Sequence, residues 1–372
     1  MGKLIGIISF IIVLLAGLFL ATKKEESRDS AQADDKVVVC YVAHDREFSE
    51  PILREFEKRT GIKVQAVYDA ESTKTVGLVN RLLQEQERPR CDVFWNNEIV
   101  NTVRLKHKGV LTEYRPQAAQ NFPPEFRDRD GKWTGFAARA RVLIVNTELV
   151  KEEETPAKLS DLLDPKWQGK IGIAKPLFGS TATWVATIYT EDLARMQQRE
   201  DALKQGQKPD ATDSQFAVLQ KLVEKQKLKI LGGNKQTAQA VSGGDLPLAF
   251  TDTDDALGEK ESGKPVKIVY LDSAPDGSGT LFFPNTLSLI ANCPHQENAK
   301  KLVEYLLSPE IEIQLANGPA AQIPVNPALK PGEDFLPRCA TPQTARPFPA
   351  DWDEVAKRWE PAMEWARNNF DL

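Results

Sequence analysis

Apolar and polar positions near the start of the chain alternate in a way that predicts strands followed by helices. A continuous apolar run from Val37 to Val42 predicts a buried strand, and the apolar face of Phe48 to Arg59 predicts a helix that ends at Gly61. A second strand, Ile62 to Tyr68, a second helix and a third strand, Asp92 to Trp95, follow. Strands alternating with helices predict an α/β fold whose parallel sheet is covered on both faces.

The same alternation begins again in the middle of the chain and predicts a second α/β lobe. Its predicted strands include Arg141 to Val145, Ile171 to Ala174 and Leu246 to Phe250. A later strand, Thr286 to Ala291, and the helix Gln296 to Leu307 are expected to return to the first lobe. The predicted units are residues 36–137 and 284–330 for lobe 1, 138–283 for lobe 2, and 331–372 for a C-terminal helical segment packed on the lobes.

The first residues differ from the rest of the chain. Residues 4–21 form an uninterrupted run of apolar or small residues after Lys3, which predicts an export signal. Its length lies between a signal-peptide core and a minimal membrane span, so residues 1–35 are either a cleaved signal peptide or an anchor followed by a polar tether. The protein is therefore expected outside the cytoplasm, in the periplasm, with a membrane contact only through this segment.

Composition excludes several classes of partner and site. The chain has 48 basic and 53 acidic side chains, without the basic excess of a nucleic-acid-binding protein. Its three histidines have no zinc-site spacing. Of the four cysteines, Cys40 and Cys91 are expected to be buried free thiols, while Cys293 and Cys339 are a candidate disulfide.

Polar side chains follow each of the first three predicted strands. His44 and Asp45 follow the first strand, residues 69–72 the second, and Asn97 and Glu98 the third. The carboxyl ends of parallel strands form the edge where ligands bind in open α/β sheets. The alternative is that these residues are ordinary loop residues, because loops are polar in general.

A second candidate site lies where Gly179, Ser180 and Thr181 open a predicted helix directly after a strand. Backbone N–H groups at a helix start attract phosphate or carboxylate groups. The lysine and glycine spacing of a nucleotide-binding P-loop is absent from this stretch. The alternative is that Ser180 only caps the helix.

Several sequence blocks resemble a known family. They are residues 56–64 (FEKRTGIKV), 92–94 (DVF), 135–139 (GFAAR) and 159–170 (LSDLLDPKWQGK). They are similar to the extracellular solute-binding proteins of ABC importers, in the branch that includes ferric-iron-binding periplasmic proteins. The resemblance implies a type II periplasmic-binding-protein fold, in which two α/β lobes joined by a hinge close over one ligand in a central cleft.

The resemblance also implies a set of ligand residues. Ferric-binding members hold Fe(III) with two tyrosines, a histidine, a glutamate and an anion such as phosphate or carbonate. Asp254 and Asp255 stand at the tyrosine positions here, either His44 or Asp45 falls near the family's histidine, and either Asn97 or Glu98 falls near its glutamate. The implied metal ligands are Asp45, Glu98, Asp254 and Asp255. The implied anion contacts are Arg139, Gly179, Ser180, Thr181 and Asn234.

Two ligands are consistent with this mixture. One is ferric iron with a phosphate or carbonate anion held in part by carboxylates, which suit several hard metals. The other is a small organic anion whose phosphate or carboxylate enters the Gly179 pocket, while an amino or hydroxyl end meets Asp252, Asp254 and Asp255. The expected ligand set also includes Thr253 of the same segment. A third reading is that this segment is only an acidic turn.

The resemblance implies a monomeric carrier that captures its ligand without a chemical reaction. Its partners would be an ABC permease and an ATPase. A membrane-anchored sensor using the same clamp is an alternative. An enzyme is not expected: Asp45 with Glu98, or Ser180 with His44, would be acid–base or nucleophile–base pairs, but neither lies in a recognised catalytic motif.

Overall fold

The computed structural model describes residues 36–69, 76–208 and 212–371, and nine strands and eleven α-helices lie within those ranges. The strands are β1 Val37–Val42, β2 Lys63–Tyr68, β3 Val93–Asn96, β4 Thr134–Asn146, β5 Ile171–Ala174, β6 Lys229–Leu231, β7 Leu248–Asp252, β8 Val266–Val269 and β9 Phe282–Leu289. The helices are α1 Arg46–Thr60, α2 Val76–Gln84, α3 Ile99–His107, α4 Gly179–Lys204, α5 Gln215–Gln226, α6 Asn234–Ser242, α7 Thr253–Glu261, α8 Gln296–Leu306, α9 Pro309–Asn317, α10 Trp352–Lys357 and α11 Trp359–Asn369.

The first group of strands forms the predicted parallel arrangement. β1 lies between β2 and β3 and is parallel to both, while β9 is antiparallel to β3. Helix α1 ends at Gly61, which adopts a left-handed conformation (φ +69°) that glycine allows without steric cost. Ile52 and Phe56, on the predicted face of α1, are fully buried against this sheet.

Strand β4 connects the two groups of strands. Its first half pairs with β9, and its second half, from Arg141 to Asn146, pairs with β7 and β8. The pairing with β9 shifts register between Phe136 and Arg139, where Ala137 has φ +44°. A bulge of this kind bends a strand and increases its twist. β5 then lies between β7 and β6 and is parallel to both.

The C-terminal helices pack against α3, which follows β3 of the first group of strands, and against α4, which follows β5 of the second group. α10 contacts α3, and both α10 and α11 contact α4. Trp352, Val355 and Trp359 are buried in the same apolar cluster. The sequence places these three residues on one helical face, but the structure divides them between two helices that meet at Arg358.

The predicted disulfide is wrong. Cys293 and Cys339 are free thiols that pack against different apolar clusters. Cys293 lies beside the group that includes Cys91 and Val39, whereas Cys339 lies beside Tyr270. Loop position alone indicated this pairing, and it carried no information about distance. Cys40 and Cys91 are buried free thiols, as predicted.

Within the three described ranges, no helix is long and apolar enough to span a membrane. The predicted export signal or anchor with its tether, residues 1–35, lies outside the described residues, as do Glu71 and Ser72 of the second polar cluster.

Candidate ligand-binding site

A cavity of about 550 Å³ lies where the ends of both groups of strands meet. It is bordered by the starts of helices α1, α4, α6 and α7, the turn after β3, and β4. Its lining residues are Asp45, Arg46, Glu47, Asn97, Arg139, Ala174, Lys175, Phe178, Gly179, Ser180, Thr181, Gly232, Gly233, Asn234, Lys235, Asp254 and Asp255. Most of the predicted ligand residues are therefore brought together, and four of them are not: His44, Glu98, Asp252 and Thr253.

Two helix N-termini open into this cavity. α4 begins at Gly179 and α6 begins at Asn234, and the residues before them, Phe178 and Gly233, make no capping hydrogen bond with a side chain. The first N–H groups of a helix have no carbonyl partner within the helix, and they carry its partial positive charge. Lys175 and Lys235 line the same cavity. This side of the cavity is therefore suited to an anionic group.

The hydroxyl and amide side chains at these helix starts bond to one another. Asn234 donates from Nδ2 to Ser180 Oγ at 2.8 Å, and Thr181 Oγ1 donates to Asn234 Oδ1 at 3.2 Å. Ser180 Oγ in turn donates to Asp252 Oδ2 at 2.5 Å. These bonds hold the two helix starts together. Backbone N–H groups at the helix starts and the two lysines are among the donors that can meet an anion.

Asp252 and Thr253 are structural residues rather than lining residues. The Asp252 side chain is fully buried, and its carboxylate accepts from Arg139, Arg141, Ser180 and Asn234. Thr253 Oγ1 accepts from the backbone N–H of Ala140 at 3.1 Å. The sequence places both residues in the ligand set, but β7 and the start of α7 direct them inward.

Carboxylates also line the cavity. Asp45 precedes α1, whereas Asp254 and Asp255 lie in the first turn of α7. Burial raises the pKa of Asp254, and the negative charges of Asp252 and Asp45 raise it further, while Arg139 acts to lower it. Carboxylates from two separate parts of the fold therefore face one space, which is suited to a cationic group.

Glu98 is a helix cap instead of a cavity residue. Its carboxylate accepts from the backbone N–H groups of Val100 at 2.8 Å and Asn101 at 3.0 Å, and from Thr183 Oγ1 at 2.9 Å. The residue is 1% exposed, and burial raises the pKa of its carboxyl group. The predicted ligand role of Glu98 conflicts with this geometry, because the start of α3 already uses both oxygens.

His44 is also withdrawn from the cavity. Its ring packs against Phe48 and Trp95, with ring centroids 5.9 Å and 5.4 Å apart, and the residue is 5% exposed. Asp45, the next residue, lines the cavity. Of these two neighbouring residues, Asp45 and not His44 therefore lies at the cavity.

The predicted metal ligands are not assembled into a metal site. In the described part of the chain, no three His, Cys, Asp or Glu side chains are grouped so that they could hold a metal ion. Glu98 is directed into the protein, and Asp254 is paired with Arg139 at 3.4 Å. These residues do not fit a ferric ion bound by carboxylates in the arrangement that the structure shows.

Sequence reasoning missed Lys175, Phe178 and Lys235. Lys175 follows β5 directly, so the rule that ligands bind at strand carboxyl ends was sufficient to find it. Lys235 lies in the first turn of α6. Phe178 precedes α4 and is 37% exposed although it is aromatic.

Comparison with known proteins identifies a family of binding proteins. Residues 52–337 match the family model described as bacterial extracellular solute-binding protein. Iron uptake protein A1 from Synechocystis sp. is 25% identical over 268 residues, which cover 70% of this chain and 68% of the relative. A putative 2-aminoethylphosphonate-binding periplasmic protein from Salmonella typhi is 25% identical over 317 residues, which cover 83% and 86%.

Solved structures share the fold at lower sequence identity. Iron-bound HitA from Pseudomonas aeruginosa has a TM-score of 0.71 at 20% identity, covering 89% of this chain and 99% of that one. The periplasmic binding protein AfuA from Actinobacillus pleuropneumoniae, with fructose-6-phosphate bound, has a TM-score of 0.72 at 19% identity, covering 91% and 99%. The fold is therefore the type II periplasmic-binding-protein fold, with two α/β lobes, a hinge and a central cleft.

The family consists of proteins that bind solutes outside the cytoplasm, so this chain is a periplasmic binding protein for a small ligand and not an enzyme. The matched region contains every cavity residue from Asn97 to Asp255. The chain belongs to the bacterial extracellular solute-binding protein family.

Proposed function

We propose that this protein is the substrate-binding component of an ABC transporter and that its ligand is a small organic anion that also carries an amino group. The observation that carries the proposal is that groups of both charge signs line one cavity. Two helix starts with Lys175 and Lys235 line it together with Asp45, Asp254 and Asp255. A ligand with charges of both signs can pair with both sets of groups at once.

Phe178 supports an organic ligand. It lines the cavity beside the start of α4, and more than a third of its surface is exposed. Ligand cavities combine apolar walls with a few polar groups that fix orientation. An aromatic ring at this position gains by packing against a carbon skeleton, which an inorganic anion does not offer.

The comparisons support an aminophosphonate or a similar phosphorylated solute. The relatives named as putative 2-aminoethylphosphonate-binding proteins match this chain over 83% of its length, whereas the Fe(3+)-binding periplasmic protein from Serratia marcescens matches over 38%. A phosphonate group fits the helix starts, and an amine fits the carboxylates. The transfer partners would be an ABC permease and its ATPase.

Ferric iron with a phosphate or carbonate anion is the second candidate. It is supported by the likeness to iron uptake protein A1 and by the hard carboxylate oxygens at the cavity. The pairing of Asp254 with Arg139 and the inward direction of Glu98 make it the weaker of the two.

The expected mechanism is capture by closure. A ligand that touches Asp45 before α1 and Gly179 at the start of α4 bridges parts of the chain on both sides of the cavity. Such a ligand stabilises the closed arrangement over the open one by its differential affinity. A membrane-anchored sensor would close on its ligand in the same way. A neighbouring permease gene would distinguish a transporter component from a sensor.

A thermal-shift screen of the metal-stripped protein tests the proposal. A ligand at about a hundred times its dissociation constant stabilises the folded state by roughly 2.7 kcal/mol. We expect a shift with 2-aminoethylphosphonate and a smaller shift with phosphate or ethylamine alone. A shift with Fe(III) that requires phosphate or carbonate, together with none for the organic compounds, would instead establish an iron carrier.

A further inference from the structure

Strand β4 carries one more residue than its partner β9 at the bulge. Phe136 lies opposite Asn285, and the next pair along the strands is Arg139 with Phe283. Three steps along β4 therefore correspond to two along β9. The β9 residue between the two pairs is Pro284, which has no N–H group to donate to the ladder. Two residues of β4 thus oppose one residue of β9, as in other bulges.

The extra residue decides where the side chain of Arg139 points. Successive side chains of a strand alternate between its faces, so one inserted residue reverses the face of every residue that follows. Arg139 shares a face with Phe283, and its guanidinium lies 4.9 Å from the centre of that ring. There it donates to the backbone carbonyl of Asn97 at 2.5 Å and pairs with Asp254 at 3.4 Å, and both of these residues line the cavity. Without the extra residue, Ala138 would occupy this position.

Glu312 on α9 holds the extra residue in place. Its side chain is fully buried, and its Oε1 accepts from the backbone N–H of Ala137 at 2.7 Å. Ala137 has φ +44°, a conformation that is uncommon for residues other than glycine. The same carboxylate accepts from the backbone N–H groups of Val325 and Asn326, at 3.0 Å each. A buried carboxylate without hydrogen bonds is costly, and these three donors offset that cost.

The other peptide groups of the bulge also have partners outside the β9 backbone. The carbonyl of Ala137 accepts from Nδ2 of Asn285. Ala138 exchanges two hydrogen bonds with Ile323, each of 2.7 Å. The segment that pairs with Ala138 is therefore the one that Glu312 also binds. The uncommon backbone of the bulge is fixed from α9 and from the chain that follows it, and such over-determined strain is typical of functional sites.

We propose that Glu312 is a positioning residue for ligand binding, which holds Ala137 at the bulge and so keeps Arg139 directed toward the cavity. Glu312 itself does not line the cavity. Removing its carboxylate frees the N–H of Ala137 and allows β4 to shift its register, which breaks the link between Asn97 and Asp254. The inference rests on the proposed function, because its binding assay uses the proposed ligand.

Isothermal titration calorimetry with 2-aminoethylphosphonate tests this role. We expect Glu312→Ala to bind the compound at least tenfold more weakly than the wild type. Glu312→Gln keeps Oε1 as an acceptor for Ala137 and Val325, so its affinity should stay within threefold of the wild type. Glu304→Ala is the matched control, since Glu304 on α8 also accepts from two backbone N–H groups, those of residues 117 and 118. Its affinity should change less than threefold.

Combination with Arg139→Gln tests whether Glu312 acts through Arg139. In that background, Glu312→Ala should weaken binding by less than a further threefold. Without ligand, Arg139→Gln should lower the free energy of unfolding in urea by less in the Glu312→Ala protein than in the wild type, because Arg139 has already lost its contacts there. If Glu312→Ala does not fold, Asn285→Ala removes the other bond to Ala137 and replaces it in both measurements.

The inference is overturned if the folded variant binds within threefold of the wild type, or if Glu304→Ala loses as much affinity. Independent, additive effects of Glu312→Ala and Arg139→Gln would overturn it as well. If the wild type binds no 2-aminoethylphosphonate, the proposed ligand is wrong, and the unfolding measurements alone decide the role of Glu312. If the wild type binds this compound and the unfolding effects add, only the role of Glu312 is wrong.

Discussion

Asp254 is a partly buried carboxyl group and Glu98 a fully buried one, and their partners give them different roles. Burial raises the pKa of both. Asp254 lines the cavity and has one charged partner, Arg139. Glu98 is enclosed by backbone N–H groups at the start of α3 and by Thr183. The first is therefore expected to control binding, and the second is expected to control stability.

Ligand affinity should fall on acidification at a higher pH than an ordinary aspartate would cause. A ligand amine pairs with ionised Asp254, and the pKa of Asp254 lies above its ordinary 3.8 because of burial. For folding the sign is opposite: Asp254 stabilises the protein below pH 3.8, and this stabilisation is lost as pH rises through the raised pKa. Calorimetric titrations from pH 7 to pH 4 should show the loss of affinity. Equal affinity at all these pH values, or in Asp254→Asn, would contradict this role.

Glu98→Ala should destabilise the protein by about 2–3 kcal/mol, because the variant loses a helix cap and leaves buried N–H groups without an acceptor. The free energy of unfolding in urea measures this loss. Ligand affinity at a temperature where the variant is folded should change less than tenfold. A large loss of affinity with unchanged stability would show that Glu98 is a ligand residue after all.

At the scale of elements, the strand and helix order of both lobes was predictable from apolar periodicity. Helix α1, for example, ends at Gly61 as predicted. The periodicity did not show that β4 would run for 13 residues through both groups of strands, because only its second half, after Arg141, is a continuous apolar run. The sequence pattern also did not show that the side chains of Glu98 and Asp252 point into the protein. A polar residue after a strand can face the cavity or cap the next helix, and only the packing decides between them.

The lysines beside the helix starts should strengthen anion binding. Lys175→Gln and Lys235→Gln are each expected to weaken 2-aminoethylphosphonate binding by roughly three- to tenfold, with the smaller effect at exposed Lys235. Both effects should shrink between 50 and 500 mM NaCl because salt screens exposed charges. Lys170→Gln is the matched control, since Lys170 precedes β5 at the opposite end and is exposed. Equal losses in the control variant would show a non-specific charge effect.

At the scale of the whole molecule, β4 and the C-terminal helices join the two groups of strands. β4 crosses between them at its bulge, while α10 packs against both α3 and α4 and α11 packs against α4. We propose that residues 36–137 with 284–330 and residues 138–283 are the two lobes, and that the C-terminal segment braces them. Charged contacts strengthen this packing: Lys106 pairs with Asp353 at 3.2 Å, and Arg104 pairs with Glu360 at 2.7 Å.

Trp359→Ala should cost about 3–5 kcal/mol of unfolding free energy, because it empties a large buried position in that packing. The Trp359 side chain is 6% exposed, and Arg104 lies over its ring at 5.2 Å. Leu336→Ala is the control, since Leu336 is 63% exposed and should change stability by less than about 0.5 kcal/mol. Urea unfolding of both variants measures the difference. A loss at Trp359 as small as that at Leu336 would contradict the bracing role.

The central claim is that one cavity binds an anionic and an amino group of the same small molecule. Isothermal titration calorimetry of the metal-stripped protein with 2-aminoethylphosphonate tests it most directly, beside ethylphosphonate, ethylamine and Fe(III) with phosphate. We expect the compound carrying both groups to bind at least tenfold more tightly than either half, and Fe(III) with phosphate to bind weakly. Tight binding of Fe(III) with phosphate and no heat from 2-aminoethylphosphonate would contradict it.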